Sequence, residues 1–190
     1  DANSVAAMGR AMVDGMAAGG VAAVMKHMPG HGRGTADSHK NLPRVTVSRA
    51  ELGAGFAPLE ALDELSTAMS AQIVREAIVP DLPATQSPDC IDLIRTEIGF
   101  NGLLMTDDIS MQALSGTVFE RAQKAIVAGC DVVLHCNGDL AEMQTLAALG
   151  DMTDSAQKRA DDAAISRPKA QSLTEQNIDI EALDAEFQSL

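Results

Sequence analysis

The sequence predicts an α/β fold built on a parallel sheet. Three observations carry this expectation. Short apolar runs recur at residues 21–24 (VAAV), 65–70, 102–106 and 131–135. Each is followed by a segment with helical spacing or helix-capping residues, so the order is a helix and then a βα unit four times. The runs are apolar on both sides, as expected of strands buried under helices. Alternating βα units of this kind give parallel strands joined by right-handed crossovers.

In order along the chain, residues 4–16 place Val5, Met8, Met12 and Met16 at helical spacing, and Gly15, Gly19 and Gly20 weaken or stop the helix. It leads into a strand over 21–25. Past Met25 the sequence reads as a loop, KHMPGHGRGTADSH (26–39). Residues 42–47 form a short connection containing Pro43. Ser48 then caps a helix as S-x-x-E with Glu51, running to about Leu62 with breaks near Gly55 and Pro58. Residues 65–70 read as the second strand, against the low strand propensity of Ala and Met. Residues 72–87, with Pro80 and Pro83 inside and Pro88 just beyond, read as a loop. Ser87 caps a helix over 88–97 that has Pro88 at its favoured first position and Gly99 past its end. The third strand, 102–106, ends at Asp107. A helix over 118–127 ends at Gly129, the fourth strand covers 131–135, and a helix covers 139–149. Beyond Gly150 the sequence turns polar. The chain therefore divides into a βα body, 1–150, and a polar helical tail, 151–190, whose last segment, 179–190, is weakly helical.

Bulk properties exclude several function classes. The 190 residues carry a net charge of −13, which argues against nucleic acid and anionic membranes, because phosphate contacts need clustered Lys and Arg. No apolar run approaches the roughly 20 residues of a membrane span. The N-terminus shows no basic stretch followed by an apolar one, so no signal peptide is visible. Three cysteines (Cys90, Cys130, Cys136) without metal-site spacing read as reduced thiols, which points to the cytoplasm.

Chemistry in βα folds sits at the C-terminal ends of strands. Here those ends carry Lys26 and His27, residues 70–72, Asp107 and Asp108, and His135. The lone His135 reads as a packed or exposed residue rather than a site residue. The loop 26–39 holds three of the four histidines (His27, His31, His39), with Lys26, Arg33, Asp37 and three glycines. Pro29 and the glycines suit a loop that fixes an imidazole above a strand end. Zinc is the runner-up reading of this loop, but histidines spaced by four and eight residues fit no metal template, so no metal is expected.

The loop, with its KH-x-PGHG…DSH pattern, resembles the signature of family 3 glycoside hydrolases in their short β-N-acetylhexosaminidase branch. LLMTDDISM (103–111) is similar to the family's nucleophile strand end, and AGCDVVLHCN (128–137) to its last barrel strand. The matches follow the family's order over most of 21–150. The resemblance implies a TIM (β/α)8 barrel, of which this chain is the C-terminal half. A half barrel leaves two open sheet edges and an uncovered inner face. The N-terminal half is therefore expected in the same protein or in another chain.

The resemblance further implies a retaining enzyme that removes terminal β-linked N-acetylglucosamine from peptidoglycan fragments during cell-wall recycling, with no cofactor. Asp107 matches the nucleophile. His39 matches the acid/base group, oriented by Asp37, and Lys26 and His27 match residues that grip sugar hydroxyls. His31 is expected to brace the loop. An imidazole titrates near neutrality, and a carboxylate partner fixes its tautomer, so a His–Asp pair suits proton transfer. Successive side chains on a strand point to opposite faces, so only one of Asp107 and Asp108 faces the barrel centre. Two departures stand out: Gln72 where the family usually has His, and Arg75 where an aromatic is common. The chain also has no Trp or Tyr and four Phe, so a sugar site here relies on hydrogen bonds or on aromatics from elsewhere. The alternatives are another β-glycosidase of the family, which the DSH motif disfavours, and a non-catalytic fragment of such an enzyme.

Overall fold

The computed structural model describes residues 1–34, 36, 41–169, 181 and 185. Asp37, His39 and most of the expected last segment lie outside the described residues. In chain order the elements are α1 (Ala2–Ala18), β1 (Met25–Met28), β2 (Arg44–Val45), α2 (Arg49–Gly53), α3 (Ala57–Glu60), β3 (Thr67–Ser70), β4 (Val74–Arg75), β5 (Val79–Pro83), α4 (Pro88–Thr96), β6 (Leu103–Asp108), α5 (Val118–Ala128), β7 (Val132–Leu134), α6 (Leu140–Leu146) and α7 (Asp154–Ile165). Single 3₁₀ turns cover Ala84–Gln86 and Ala147–Leu149.

Four strands form the expected parallel sheet in the order β1-β3-β6-β7, each the neighbour of the next in sequence apart from the small strands. Ala68 lies opposite Leu104, and Met69 opposite Met105. The pleat separates these pairs. Ala68 and Leu104 are fully buried and pack in one cluster with Ile91, Ile94, Ala125 and Ala128 of the helices α4 and α5. Met69, Met105 and Val132 turn the other way and stay partly exposed. The sheet is thus covered by helices on one face and incompletely covered on the other. Parallel strands are ordinarily buried on both faces.

Local chemistry explains most element ends. Ser48 accepts from the Glu51 N–H while the Glu51 carboxylate reaches back to Ser48, and Thr117 and Glu120 repeat this box on α5. Ser87 caps α4, which starts at Pro88. Gly129 closes α5 with φ at 112°, a left-handed angle that suits a residue without a side chain. Gly102 enters β6 so close to its neighbour that an added Cβ would lie 2.6 Å from the Ser66 carbonyl oxygen.

Three expectations need correction. The first strand is not residues 21–25: β1 begins at Met25, and Lys26 and His27 belong to it rather than to a loop. Val21 and Val24 are 54% and 41% exposed, while Met25, Lys26 and Met28 are the residues that take up register with β3. The stretches read as connections over 42–47 and 72–87 contain a second sheet, β2-β4-β5. Pro80 and Pro83 lie in its edge strand β5, where a missing N–H is tolerated. The third strand runs on to Asp108, so both aspartates lie on the strand end.

The polar stretch after Gly150 contains α7, mostly exposed but anchored. Ala156 is buried, and Arg159 donates to the Asn101 carbonyl oxygen at 3.2 Å and to Asp131 Oδ1 at 2.8 Å. Asp131, at the start of β7, also accepts from Arg95 at 2.7 Å and from the Leu104 N–H at 2.8 Å. One buried carboxylate thereby joins α4, β6, β7 and α7. At the other end of the chain α1 buries none of its residues, and Val5, Met8 and Met12 are 59%, 70% and 67% exposed.

Candidate active site

The polar strand ends meet at one rim of the sheet. The β1–β3–β6 register sets His27 and Asp107 beside each other, with His27 Nε2 3.6 Å from Asp107 Oδ2. Their side chains are 29% and 15% exposed, so the pair is sheltered but reachable. Alternation along β6 puts Asp107 on the face of Met105, away from buried Leu104 and Thr106. The His27 ring meets His31 edge-on, with centroids 5.7 Å apart. Lys26 precedes His27 on β1 and is exposed.

The neighbouring Asp108 is bound differently. Its Oδ1 accepts from the N–H groups of Ser110 and Cys136, each at 3.1 Å, and its Oδ2 accepts from Ser110 Oγ at 2.6 Å. Burial raises its pKa, but the hydrogen bonds from Ser110 and Cys136, with nearby His135, outweigh burial and hold it below the usual carboxylate range. Asp108 therefore ties the end of β6 to the segment after β7. Among the described residues, the Asp107 carboxylate accepts from the Asp108 N–H through Oδ1 at 2.8 Å and faces His27.

Gln72 is fully buried and its Nε2 donates to the Asp108 carbonyl oxygen at 2.7 Å. Its Oε1 is buried without a hydrogen-bond partner. Gln72 departs from the family pattern, and no local sequence signal points to this bond to the backbone of the aspartate pair. Arg75 departs likewise. Its Nη2 donates to the Pro29 carbonyl oxygen at 3.1 Å and to that of Gly30, so it holds the start of the 26–39 segment. Ser70, between these ends, is spent on the interior, bonding Thr85 Oγ1 at 2.9 Å.

His135 packs as expected, with 7% of its side chain exposed and its Nε2 2.7 Å from Glu142 Oε2. Cys90 and Cys130 are buried free thiols, and burial pushes Cys130 up to about 12, which keeps it protonated at neutral pH. Among the described residues no group of three His, Cys, Asp or Glu is placed to hold a metal ion. Chemically the rim offers a sheltered carboxylate with an imidazole beside it, a pairing that suits attack on, or charge stabilisation at, an electrophilic carbon. The acid/base candidate His39 and Asp37, expected to orient it, lie outside the described residues.

The chain is similar to known proteins. The family model described as the glycosyl hydrolase family 3 N-terminal domain matches residues 1–167. The chain is 43% identical over 140 residues to a beta-hexosaminidase of Alkalilimnicola ehrlichii, covering 70% of this chain and 40% of the relative. It is 39% identical over 149 residues to a beta-hexosaminidase of Bordetella avium, covering 75% and 42%. It resembles the solved structure of NagZ from Neisseria gonorrhoeae in complex with N-trifluoroacetyl-D-glucosamine, with a TM-score of 0.73 and 32% identity over 84% of this chain and 48% of that one. The chain spans about two fifths of the length of these curated relatives. By its sequence and its parallel βα sheet, the chain belongs to glycosyl hydrolase family 3 and forms part of that family's barrel domain.

Proposed function

We propose that this chain is the C-terminal half of the barrel of a retaining β-N-acetylhexosaminidase, which removes terminal β-linked N-acetylglucosamine from peptidoglycan fragments in the cytoplasm. The observation that carries the reading is the contrast on β6: Asp107 is sheltered, points to the inner face and is left to His27, whereas Asp108 is saturated by Ser110 and Cys136. Asp107 attacks the anomeric carbon and forms a glycosyl ester, and the leaving oxygen takes a proton from His39, which Asp37 orients. His39 then removes a proton from water, which opens the ester with net retention. Lys26 and His27 bind sugar hydroxyls. No cofactor enters, and the N-terminal half barrel, in the same protein or another chain, completes the pocket.

The test uses the full-length protein and an aryl β-N-acetylglucosaminide. Asp107→Ala is expected to lower kcat by at least about a thousandfold, the scale of a lost nucleophile. Asp108→Asn keeps the shape of its hydrogen-bond hub and is expected to retain most of the turnover. The reverse ranking would move the nucleophile to Asp108. Faster turnover of the matching aryl β-glucoside would favour the broader β-glycosidase reading.

A further inference from the structure

A cavity of about 290 Å³ is lined by Arg33, Arg75, Gly30, Leu52 and Phe56, among others. Arg75 is only 5% exposed. Its Nη2 is used on the Pro29 and Gly30 carbonyl oxygens, but its Nε is buried without a hydrogen-bond partner, and among the described residues no carboxylate pairs with it. Burial disfavours its charge, and Arg33, of the same sign, disfavours it further. Glu51 is near enough for its charge to be felt by Arg33, but its carboxylate hydrogen-bonds the Ser48 cap, and Glu97 binds Arg49. Phe56 forms an apolar wall with Arg75 over its ring at 6.0 Å.

A guanidinium stays charged in proteins, and a buried charge without a counter-charge is costly. This one is also unexpected in a chain of net charge −13. Two cations at a cavity, one of them buried and incompletely bonded, are what a small anion requires, and the volume admits a phosphate or a carboxylate group. We propose that Arg75 and Arg33 form an anion-binding site for a carboxylate or phosphate group, beside the candidate active site and separate from it. An anion there would bridge the second sheet, through Arg75 of β4, to the stretch after β1, through Arg33.

The test is thermal unfolding of the full-length protein, titrated with inorganic phosphate, sodium acetate or glucuronate at constant ionic strength set with chloride. The readout needs no turnover, so it stands or falls apart from the glycosidase reading. A saturable rise of roughly 3 °C is expected with at least one of these anions, as for a ligand that binds only the folded state. Arg33→Gln, at an exposed position that leaves the fold intact, and Arg75→Lys should each raise the midpoint concentration about tenfold. A glucuronate midpoint well below that of acetate supports the acid group of a sugar substrate as the occupant, and a phosphate midpoint below both supports a free anion. A rise equal to that in chloride alone, or midpoints unchanged in both variants, would overturn the site.

Discussion

Asp107 and Asp108 are consecutive and chemically identical, and their surroundings separate them. Three donors saturate Asp108, while Asp107 faces an imidazole at 3.6 Å. Gln72 fixes the carbonyl oxygen of the same backbone. Gln72→Ala should therefore lower kcat about tenfold with KM little changed, since the aspartates lose their brace rather than a sugar contact. Gln72→His should restore much of the loss, and an alanine variant with unaltered kcat would show that the brace is idle. His39 is tested through the leaving group: His39→Ala should slow turnover of alkyl glycosides at least about a hundredfold more than that of nitrophenyl glycosides, which leave without protonation. Equal losses would make His39 a binding residue. At this scale the site was partly legible. Local motifs single out Asp107, Lys26 and His27 as candidates, whereas the bond from Gln72 spans 36 positions and has no sequence pattern to announce it.

Between elements, the buried Asp131 with its two arginines joins four of them. Asp131→Ala should cost about 3 kcal/mol in chemical unfolding, because two guanidinium groups lose their counter-charge in a sheltered place. By contrast Lys158→Ala, which breaks the exposed pair with Asp162 on α7, should change stability by less than about 0.5 kcal/mol. Elements with end signals were the readable ones: Ser48 and Glu51, Ser87 with Pro88, and Gly129 mark helix ends where the structure has them. The small sheet was not readable, because strands β2 and β4 are two residues long and show no alternation. The shift of β1 has a related cause. An apolar run marks the approach to a sheet, but pairing with β3 decides which residues are strand, and it selects the polar Lys26 and His27.

For the whole molecule, the four parallel strands end in two edges, β1 and β7, and Met69, Met105 and Val132 remain partly exposed on the uncovered face. Unpaired edges and apolar inner surface favour association. The 190 residues expressed alone should run larger than a monomer by size-exclusion chromatography with light scattering, and should be catalytically weak. A well-behaved, fully active monomer would remove the half-barrel reading.

The Asp131 hub also orders events during synthesis. Arg95 and the Leu104 amide leave the ribosome first, Asp131 follows, and Arg159 comes last. Until residue 159 has emerged, the carboxylate at the start of β7 has only one of its two cations, and α7 has no anchor on the sheet. The sheet can assemble strand by strand as the chain grows, but its lower end is locked only from the C-terminal side, so a nascent chain stalled between residues 131 and 159 would hold a formed but loosely fastened β7.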